Sequence, residues 1–195
     1  MSPVELELET KRLRLAPLTD ADVAALVRHW GHASVGRYLW SDTAVTYDMV
    51  SAVVTTSNED FRRYGYGIWA IRLEQGSALL GVCGLRRVQN TDCIEILFSL
   101  RPRYWGRGYA TEAARKVIDY AFRCLAVEHL VASPGLGTPA SLGVLRRLGM
   151  NIQQTAPCND TVGHYAVLTR DQYLTARVEL DSVHEPAPVH STSRA

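Results

Sequence analysis

Apolar residues recur at helical spacing in four parts of the chain. Residues 109–125 show the clearest pattern, since their apolar positions fall three and four residues apart: Ala110, Ala113, Ala114, Val117, Ile118, Ala121, Phe122 and Leu125. Similar spacing predicts a first helix that is capped by Thr19 and packs inward with Val23, Leu26, Val27 and Trp30. It also predicts a helix over about residues 47–64 and one that starts at Thr138-Pro139 and ends near Gly149. Residues 31–43 are expected to form a loop or a broken helix.

Strand patterns separate these helices. Leu13 and Leu15 alternate with arginines, as in a half-exposed first strand. Further strands are predicted over residues 66–73, 79–88, 93–100, 128–132, 151–156 and 164–169. The order is strand, two helices, three strands, helix, strand, helix and two strands, which indicates an α/β protein with a mixed sheet. Residues 1–180 are expected to form one domain, and residues 181–195, which lack periodicity, a disordered tail.

Composition narrows the class of protein. The chain has 195 residues, 47% of them hydrophobic and 21% charged, and a formal net charge of +1, which is typical of a soluble globular domain without affinity for nucleic acid or anionic membranes. Because it has no 18-residue apolar run and no signal-peptide pattern, a cytoplasmic location is predicted. Four widely spaced cysteines, with no C-x-x-C pair to suggest a metal site, are expected to be free thiols: Cys83, Cys93, Cys124 and Cys158.

Two glycines, Gly106 and Gly108, precede the helix over residues 109–125. Without Cβ atoms the chain can turn so that consecutive N–H groups converge at the positive end of the helix dipole, which favours a phosphate or pyrophosphate site. A tight strand-to-helix connection is the alternative. The third glycine of the dinucleotide fingerprint and the Gly-Lys-Ser/Thr of a Walker loop are both missing.

The full string around these glycines runs from Arg103-Tyr-Trp to Gly106-Arg-Gly108-Tyr-Ala110 and on to Thr111-Glu112-Ala. It closely resembles the acyl-CoA-binding segment of the GNAT superfamily of N-acetyltransferases, and within it the ribosomal-protein N-terminal-alanine acetyltransferase (RimJ/RimL-like) branch. Residues 8–22, 140–150 and 165–173 are similar to other family segments in the same order. The resemblance implies the GNAT fold, a mixed sheet of about seven strands that splays around the pantetheine arm. It also implies acetyl-CoA as co-substrate, with no metal.

The resemblance implies a set of cofactor contacts. Main-chain groups of Arg103, Gly106, Arg107, Gly108, Tyr109 and Ala110 would bind the pyrophosphate, assisted by the side chain of Arg103 or Arg107 unless these arginines are merely solvated. Phe98, Ser99 and Leu100 would pair with pantetheine amides through their main chain, and one of these N–H groups would polarise the thioester carbonyl. Thr138, where related enzymes carry asparagine, and Ser141 would contact the cofactor from the later helix. Trp105 is interpreted as a packing residue.

Two residues are candidates for catalysis. Glu95 is a carboxylate within an apolar strand and is either a general base or the partner of an arginine across the sheet. Ser141 is implied by the resemblance to protonate the departing thiolate, or else it satisfies the start of its helix. Glu112 is interpreted as a first-turn carboxylate that favours the helix dipole. His164 and Tyr165 are weaker candidates for a proton shuttle.

The leading hypothesis is an acetyl-CoA-dependent N-acetyltransferase in which a primary amine, on a protein N-terminus or a small molecule, attacks directly in a ternary complex. A non-catalytic acyl-CoA-binding or sensing module is the alternative, and a nucleotide-binding protein is a third interpretation. The expected partners are acetyl-CoA and the acceptor, with neither nucleic acid nor membrane, and a homodimer is allowed. Several aromatic residues either line an acceptor cleft or pack the core: Tyr38, Trp40, Tyr47, Tyr64 and Tyr66.

Overall fold

The computed structural model describes residues 6–39, 43–88, 91–133, 139–155 and 162–183. Within these ranges the helices are α1 (Val23–Trp30), α2 (Ala33–Leu39), α3 (Tyr47–Tyr64), α4 (Tyr109–Cys124), α5 (Pro139–Arg147) and α6 (Arg170–Val183). The strands are β1 (Leu8–Glu9), β2 (Leu13–Pro17), β3 (Ile68–Leu73), β4 (Gly81–Arg87), β5 (Ile94–Leu100), β6 (His129–Ala132), β7 (Asn151–Thr155) and β8 (Val162–Thr169).

All eight described strands form one mixed sheet in the order β1-β2-β3-β4-β5-β6-β8-β7. The pairs from β1 to β5 are antiparallel, β5 and β6 are parallel, and β6, β8 and β7 are antiparallel again. The α/β class and the mixed sheet are therefore confirmed. The strand beyond the expected seven is β1, whose two residues pair with Leu15 and Arg14 of β2.

The helix ends follow local sequence signals. Helix α3 begins after Thr46, whose hydroxyl accepts a hydrogen bond from the Met49 N–H at 3.3 Å. It ends at Gly65, whose φ of 76° is a left-handed conformation that suits glycine. The observed bounds of α3 are those that the apolar spacing predicted, because both caps are encoded by neighbouring residues.

Each face of the sheet carries its own hydrophobic core. On one face α4 packs its buried side chains, including Val117 and Phe122, against Ile96 and Leu130 of the sheet. On the other face α1, α2 and α3 enclose a second cluster around Leu26, which includes side chains of β3 and β4. Helices on both faces bury both sides of the central strands, which explains why those strands are almost uniformly apolar.

The parallel strands β5 and β6 separate after a short contact. They pair at Ile94 with Leu130 and at Glu95 with Val131. Strand β5 continues to Leu100, whereas β6 ends at Ala132. As far as the described residues show, the sheet is thus open beside residues 96–100, as the resemblance implied.

Two helices differ from the sequence-based expectation. Helix α2 lies inside residues 31–43, so the broken-helix alternative holds for residues 33–39. Helix α6 was missed; it covers Arg170–Val183 and so extends three residues beyond the expected domain boundary at residue 180. The Arg170 guanidinium fixes the start of α6, since it donates to the carbonyls of Leu125 at 2.9 Å and Val127 at 3.1 Å. Residues 184–195 lie outside the described ranges.

The cysteines also differ from expectation. Cys83 and Cys124 are free, but Cys93 is disulfide-bonded, so the prediction of four free thiols is wrong for Cys93. Cys158 lies outside the described residues. Burial raises the pKa of the Cys83 thiol, which leaves it protonated and unreactive.

Candidate active site

The glycine loop has the backbone conformation that its two glycines permit. Gly106 and Gly108 adopt φ values of 73° and 79°, and α4 starts directly after them at Tyr109. The Glu112 N–H donates to the Gly108 carbonyl at 3.0 Å, which closes the first turn of the helix. Since the N–H groups ahead of that bond have no intrahelical acceptor, those of residues 109–111 are directed out of the helix start. This arrangement fits a pyrophosphate or another anion.

Arg12, which the sequence analysis did not single out, holds this loop in place. Its guanidinium binds the Glu112 carboxylate, with Nε to Oε2 at 2.7 Å, and its Nη1 donates to the Arg107 carbonyl at 3.2 Å. It also lies 4.6 Å from the centre of the Tyr109 ring. The Thr10 hydroxyl donates to Glu112 Oε1 at 2.6 Å. The turn between β1 and β2 is therefore tied to the start of α4.

Glu112 serves as the anchor of that contact. Burial by itself would raise the pKa of Glu112, but the hydrogen bonds from Thr10 and Arg12 outweigh it and lower the pKa below its ordinary value. The carboxylate is thus ionised at neutral pH and bound to Arg12. Its first-turn position favours the helix dipole, as predicted, and its pairing adds a tertiary role.

In β5, main-chain N–H and C=O groups face β4 and the open part of the sheet at alternate residues. The Arg101 N–H donates to the Leu80 carbonyl at 2.8 Å, and hydrogen-bonded pairs recur at every second residue of an antiparallel ladder. The main chain of Ser99 therefore faces β4. The main-chain groups of Phe98 and Leu100 face the gap, where an extended ligand can pair with them.

Trp105 forms a hydrogen bond with one of these main-chain groups. Its indole Nε1 donates to the Leu100 carbonyl at 2.6 Å, although 46% of the residue is exposed. The ring also lines the cleft described below. The interpretation as a packing residue is therefore incomplete, because Trp105 both fixes the end of β5 and borders the cleft.

Glu95 is buried at the point where β5 and β6 part. Its Oε2 accepts from Arg86 Nε at 2.6 Å, and Arg86 stands opposite it on β4. Its Oε1 accepts from the Ser133 N–H at 3.2 Å, just beyond the end of β6. The cross-sheet arginine that the sequence offered as one alternative is present. The carboxylate also lines the cleft, so both of its predicted roles are compatible with its position.

A second buried polar pair lies near the same gap. His29 Nε2 is 2.9 Å from Ser99 Oγ, and His29 is only 2% exposed. Burial lowers the pKa of His29 to about 4; the hydrogen bond with Ser99 opposes this shift, and the charge of Arg101 adds to it. The imidazole is therefore neutral at pH 7. Sequence reasoning missed His29, although it follows Leu26 by three residues on the inner face of α1.

Of the remaining predicted residues, some line the cleft and others do not. Ser141 lies in the first turn of α5 and lines the cleft, whereas Thr138 lies outside the described residues. Arg103 and Arg107 are exposed and do not belong to the described cleft lining. Tyr165 packs with Val131 and Val167 away from the cleft. The side chain of His164 lies outside the described residues.

One large cleft of about 1680 Å³ joins these features. On the α4 side its lining includes Gly106, Gly108, Tyr109 and Ala110 of the glycine loop, together with Ser141. On the opposite face of the sheet its lining contains Trp30, Val35, Val53, Ile68, Val82 and Leu97. The cleft therefore passes through the sheet at the gap beside β5.

The predicted aromatic acceptor cleft is not formed by the described tyrosines. Tyr66 is buried in the α4-side core and stacks on Tyr64 at 5.7 Å, and Tyr47 is exposed. None of these three lines the cleft. The side chain of Tyr38 and all of Trp40 lie outside the described residues.

Among the described residues, no three or more His, Cys, Asp and Glu side chains gather closely enough to hold a metal ion. No helix in the same ranges has the length and apolarity needed to cross a membrane.

Comparison with known proteins agrees with this geometry. A family model described as the acetyltransferase (GNAT) domain matches residues 12–151. The chain belongs to the GNAT acetyltransferase family. Among curated GNAT relatives, the uncharacterized N-acetyltransferase p20 of Bacillus licheniformis is 27% identical over 146 residues, which cover 72% of this chain and 80% of that protein. The family and the named relatives support an acetyltransferase enzyme.

Solved structures show the same GNAT fold. An acetyltransferase from Agrobacterium tumefaciens has a TM-score of 0.71 and 26% identity, covering 83% of this chain and 93% of that one. The ribosomal L7/L12 α-N-protein acetyltransferase RimL, solved with coenzyme A, has a TM-score of 0.68 and 15% identity, covering 85% and 99%. At that identity the likeness concerns the fold alone.

Proposed function

We propose that this protein transfers an acetyl group from acetyl-CoA to a primary amine, on a protein N-terminus or a small molecule. Acetyl-CoA supplies the activated acetyl group as a thioester, which the amine attacks directly while both are bound. The observation that supports the proposal best is the cleft that connects the glycine loop, through the gap between β5 and β6, with a second chamber across the sheet. Two substrates can thus enter from opposite faces and meet at the gap.

The residues on the α4 side are suited to hold the cofactor. Main-chain groups of Gly106, Gly108, Tyr109 and Ala110 would bind its diphosphate at the start of α4. The main chain of Phe98 would pair with the extended pantetheine arm, as a neighbouring strand would. Arg103 and Arg107 would contribute charge near the diphosphate, and Thr138 would contact the cofactor from the approach to α5.

Glu95 is the proposed proton acceptor. An amine reaches the site largely protonated, since its pKa is about 8 for an α-amino group and about 10 for an alkylamine. Glu95 Oε2 accepts a hydrogen bond from Arg86 and Oε1 accepts one from Ser133, and each carboxylate oxygen has a second lone pair to offer. Ser141, at the other wall of the cleft, would return a proton to the departing thiolate.

The proposal is tested by two measurements on the full chain. Calorimetry with acetyl-CoA tests cofactor binding, and a thiol assay with a panel of amines tests release of free coenzyme A, with the acetylated amine confirmed by mass spectrometry. Amine-dependent release with a matching product supports the proposal. Binding without amine-dependent release would instead indicate a sensing module, and lack of binding would contradict both.

A cytoplasmic location and a homodimer stay predictions. The disulfide at Cys93 bears on the first, since reducing compartments normally keep thiols reduced. Fractionation of the native host with thiol trapping of Cys93 tests the location, and sedimentation tests the dimer.

A further inference from the structure

The chamber across the sheet from the glycine loop has an apolar wall. Six of its lining residues belong to the hydrophobic cluster between the sheet and helices α1, α2 and α3: Trp30, Val35, Val53, Ile68, Val82 and Leu97. The glycine loop packs on the other face, with α4. We call this chamber the acceptor half, because it is the part of the cleft that remains once the α4 side is assigned to the cofactor.

The described lining of the acceptor half carries balanced charge. Its carboxylate among these residues is Glu95, and the Arg86 guanidinium neutralises it at 2.6 Å. The described lining has further polar groups on this side in the hydroxyls of Ser34 and Ser99, which carry no charge. The cleft's other described carboxylates, Glu9, Glu112 and Asp119, belong to β1 and α4.

Among the described residues of this wall, a second ammonium group would find no counter-charge. Moving an unpaired charge from water to an apolar surface is costly, and more so than moving a neutral polar group. An aliphatic or aromatic body, by contrast, gains free energy in proportion to the apolar surface that it buries. The wall therefore favours an amine on an aliphatic or aromatic body over an amine that carries a second charge.

We propose that the acceptor is a primary amine carried on an apolar, uncharged body, and that diamines and polyamines are poor acceptors. This inference rests on the proposed acetyltransferase function. It includes an N-terminal residue with an apolar side chain and small alkyl or aryl amines, which share this chemistry. The relative kcat/KM of phenethylamine and an amidated Phe-Ala-Ala peptide distinguishes these two sources.

The sharpest test compares hexylamine with 1,6-diaminohexane, which have the same chain length and differ by one distal amine. We expect kcat/KM for hexylamine to exceed that for the diamine at least tenfold, after the factor of two for its two equivalent amines. Phenethylamine and a C-terminally amidated Phe-Ala-Ala peptide should resemble hexylamine, whereas spermidine and an amidated Lys-Ala-Ala peptide should resemble the diamine. A diamine that is acetylated as well as hexylamine would overturn the inference while leaving the acetyltransferase function intact.

A charge variant provides the second arm. Ser34→Asp adds a carboxylate to the acceptor half at a half-buried position, and Thr55→Asp adds one to the exposed surface of α3 as a matched control. The preference for hexylamine should fall at least fivefold in Ser34→Asp and stay unchanged in Thr55→Asp. Equal preferences in the two variants would overturn the assignment of this wall to the acceptor. If no amine releases coenzyme A although acetyl-CoA binds, the proposed function itself fails.

Discussion

The two halves of the cleft are built from different parts of the chain. In the α4-side half, which we call the cofactor half, the groups proposed to bind the diphosphate are main-chain groups of one contiguous segment, residues 106–111, at the start of a helix. The acceptor half consists of side chains from α1, α2, α3, β3, β4 and β5, which are far apart in sequence. Main-chain recognition requires glycines at fixed positions and is therefore visible as a short pattern in the sequence. Side-chain recognition depends on packing, and its residues look like any other apolar core residues.

The largest effect is expected where the two halves meet, at Glu95. In Glu95→Gln the hydrogen bonds to Arg86 and Ser133 can largely persist, but the amide cannot accept a proton. A general base contributes roughly 10²- to 10⁴-fold to rate. We therefore expect kcat to fall by about 10²-fold or more, with little change in acetyl-CoA affinity, in steady-state kinetics and calorimetry.

Arg86→Gln is the matched control for that variant. It removes the same ion pair but leaves the carboxylate, and Arg86 is largely exposed. If Glu95 only holds Arg86 in place, both variants will lower kcat to the same small extent. A much larger loss in Glu95→Gln would support the proton-accepting role.

Much of the fold was predictable because its signals are local. The bounds of α3, the position of α4 and the order of the strands follow from apolar spacing, caps and glycines. Helix α6 was missed because its pattern is weakly amphipathic, and its position depends on Arg170 binding carbonyls at the end of α4. The pairs Arg12–Glu112 and His29–Ser99 were missed for a similar reason, since their partners lie 100 and 70 residues apart.

Cofactor binding can be tested by a substitution that alters the main chain of the glycine loop. Gly108→Val forces a β-branched residue into a left-handed conformation, which costs roughly 1–2 kcal/mol, and adds bulk where the diphosphate is expected to bind. A hydrogen bond to a charged group contributes about 1.5–3 kcal/mol, so acetyl-CoA affinity should fall about 10- to 100-fold in calorimetry.

Gly65→Val is its control, because Gly65 has a φ of 76° at the end of α3, away from the cleft. Both variants should lose stability in urea unfolding, but Gly65→Val should keep its affinity for acetyl-CoA. Comparable affinity losses would show that strain alone, rather than the loop's contact with the cofactor, explains the result.

The burial of His29, which bonds Ser99 beside the acceptor half, can be tested through the protonation of its imidazole. In the folded protein burial lowers the pKa of His29 to about 4, from an unfolded value of 6.5. Above pH 6.5 both states are neutral at this residue. As the pH falls below 6.5 the unfolded state gains a proton that the folded state does not, so the free energy of unfolding should drop by about 2 kcal/mol between pH 7 and pH 5.

His29→Gln removes this titration and retains a group that can bond Ser99. Urea unfolding of both proteins from pH 8.5 to pH 5 should give parallel curves above pH 7 and diverging curves below it. The wild type should lose more stability than the variant towards pH 5. Curves that stay parallel throughout would mean that folding does not lower the pKa of His29.

The smallest effect is expected at Arg12, which supports the glycine loop from outside the cleft. Arg12→Leu removes the bonds to Glu112 and to the Arg107 carbonyl, but leaves the glycines themselves unchanged. Because Arg12 is partly exposed, we expect a cost of about 1 kcal/mol, which is about a fivefold rise in KM for acetyl-CoA with kcat unchanged. Arg12→Lys should recover part of the loss, since an ammonium can bind Glu112 but lacks the guanidinium's planar fork.

Arg87→Leu breaks a comparable exposed pair, with Asp92, away from the cleft and should leave KM unaltered. Equal KM values in the Arg12 and Arg87 variants would mean that the glycines alone set the loop, and that the cofactor half depends on no side chain outside its own segment.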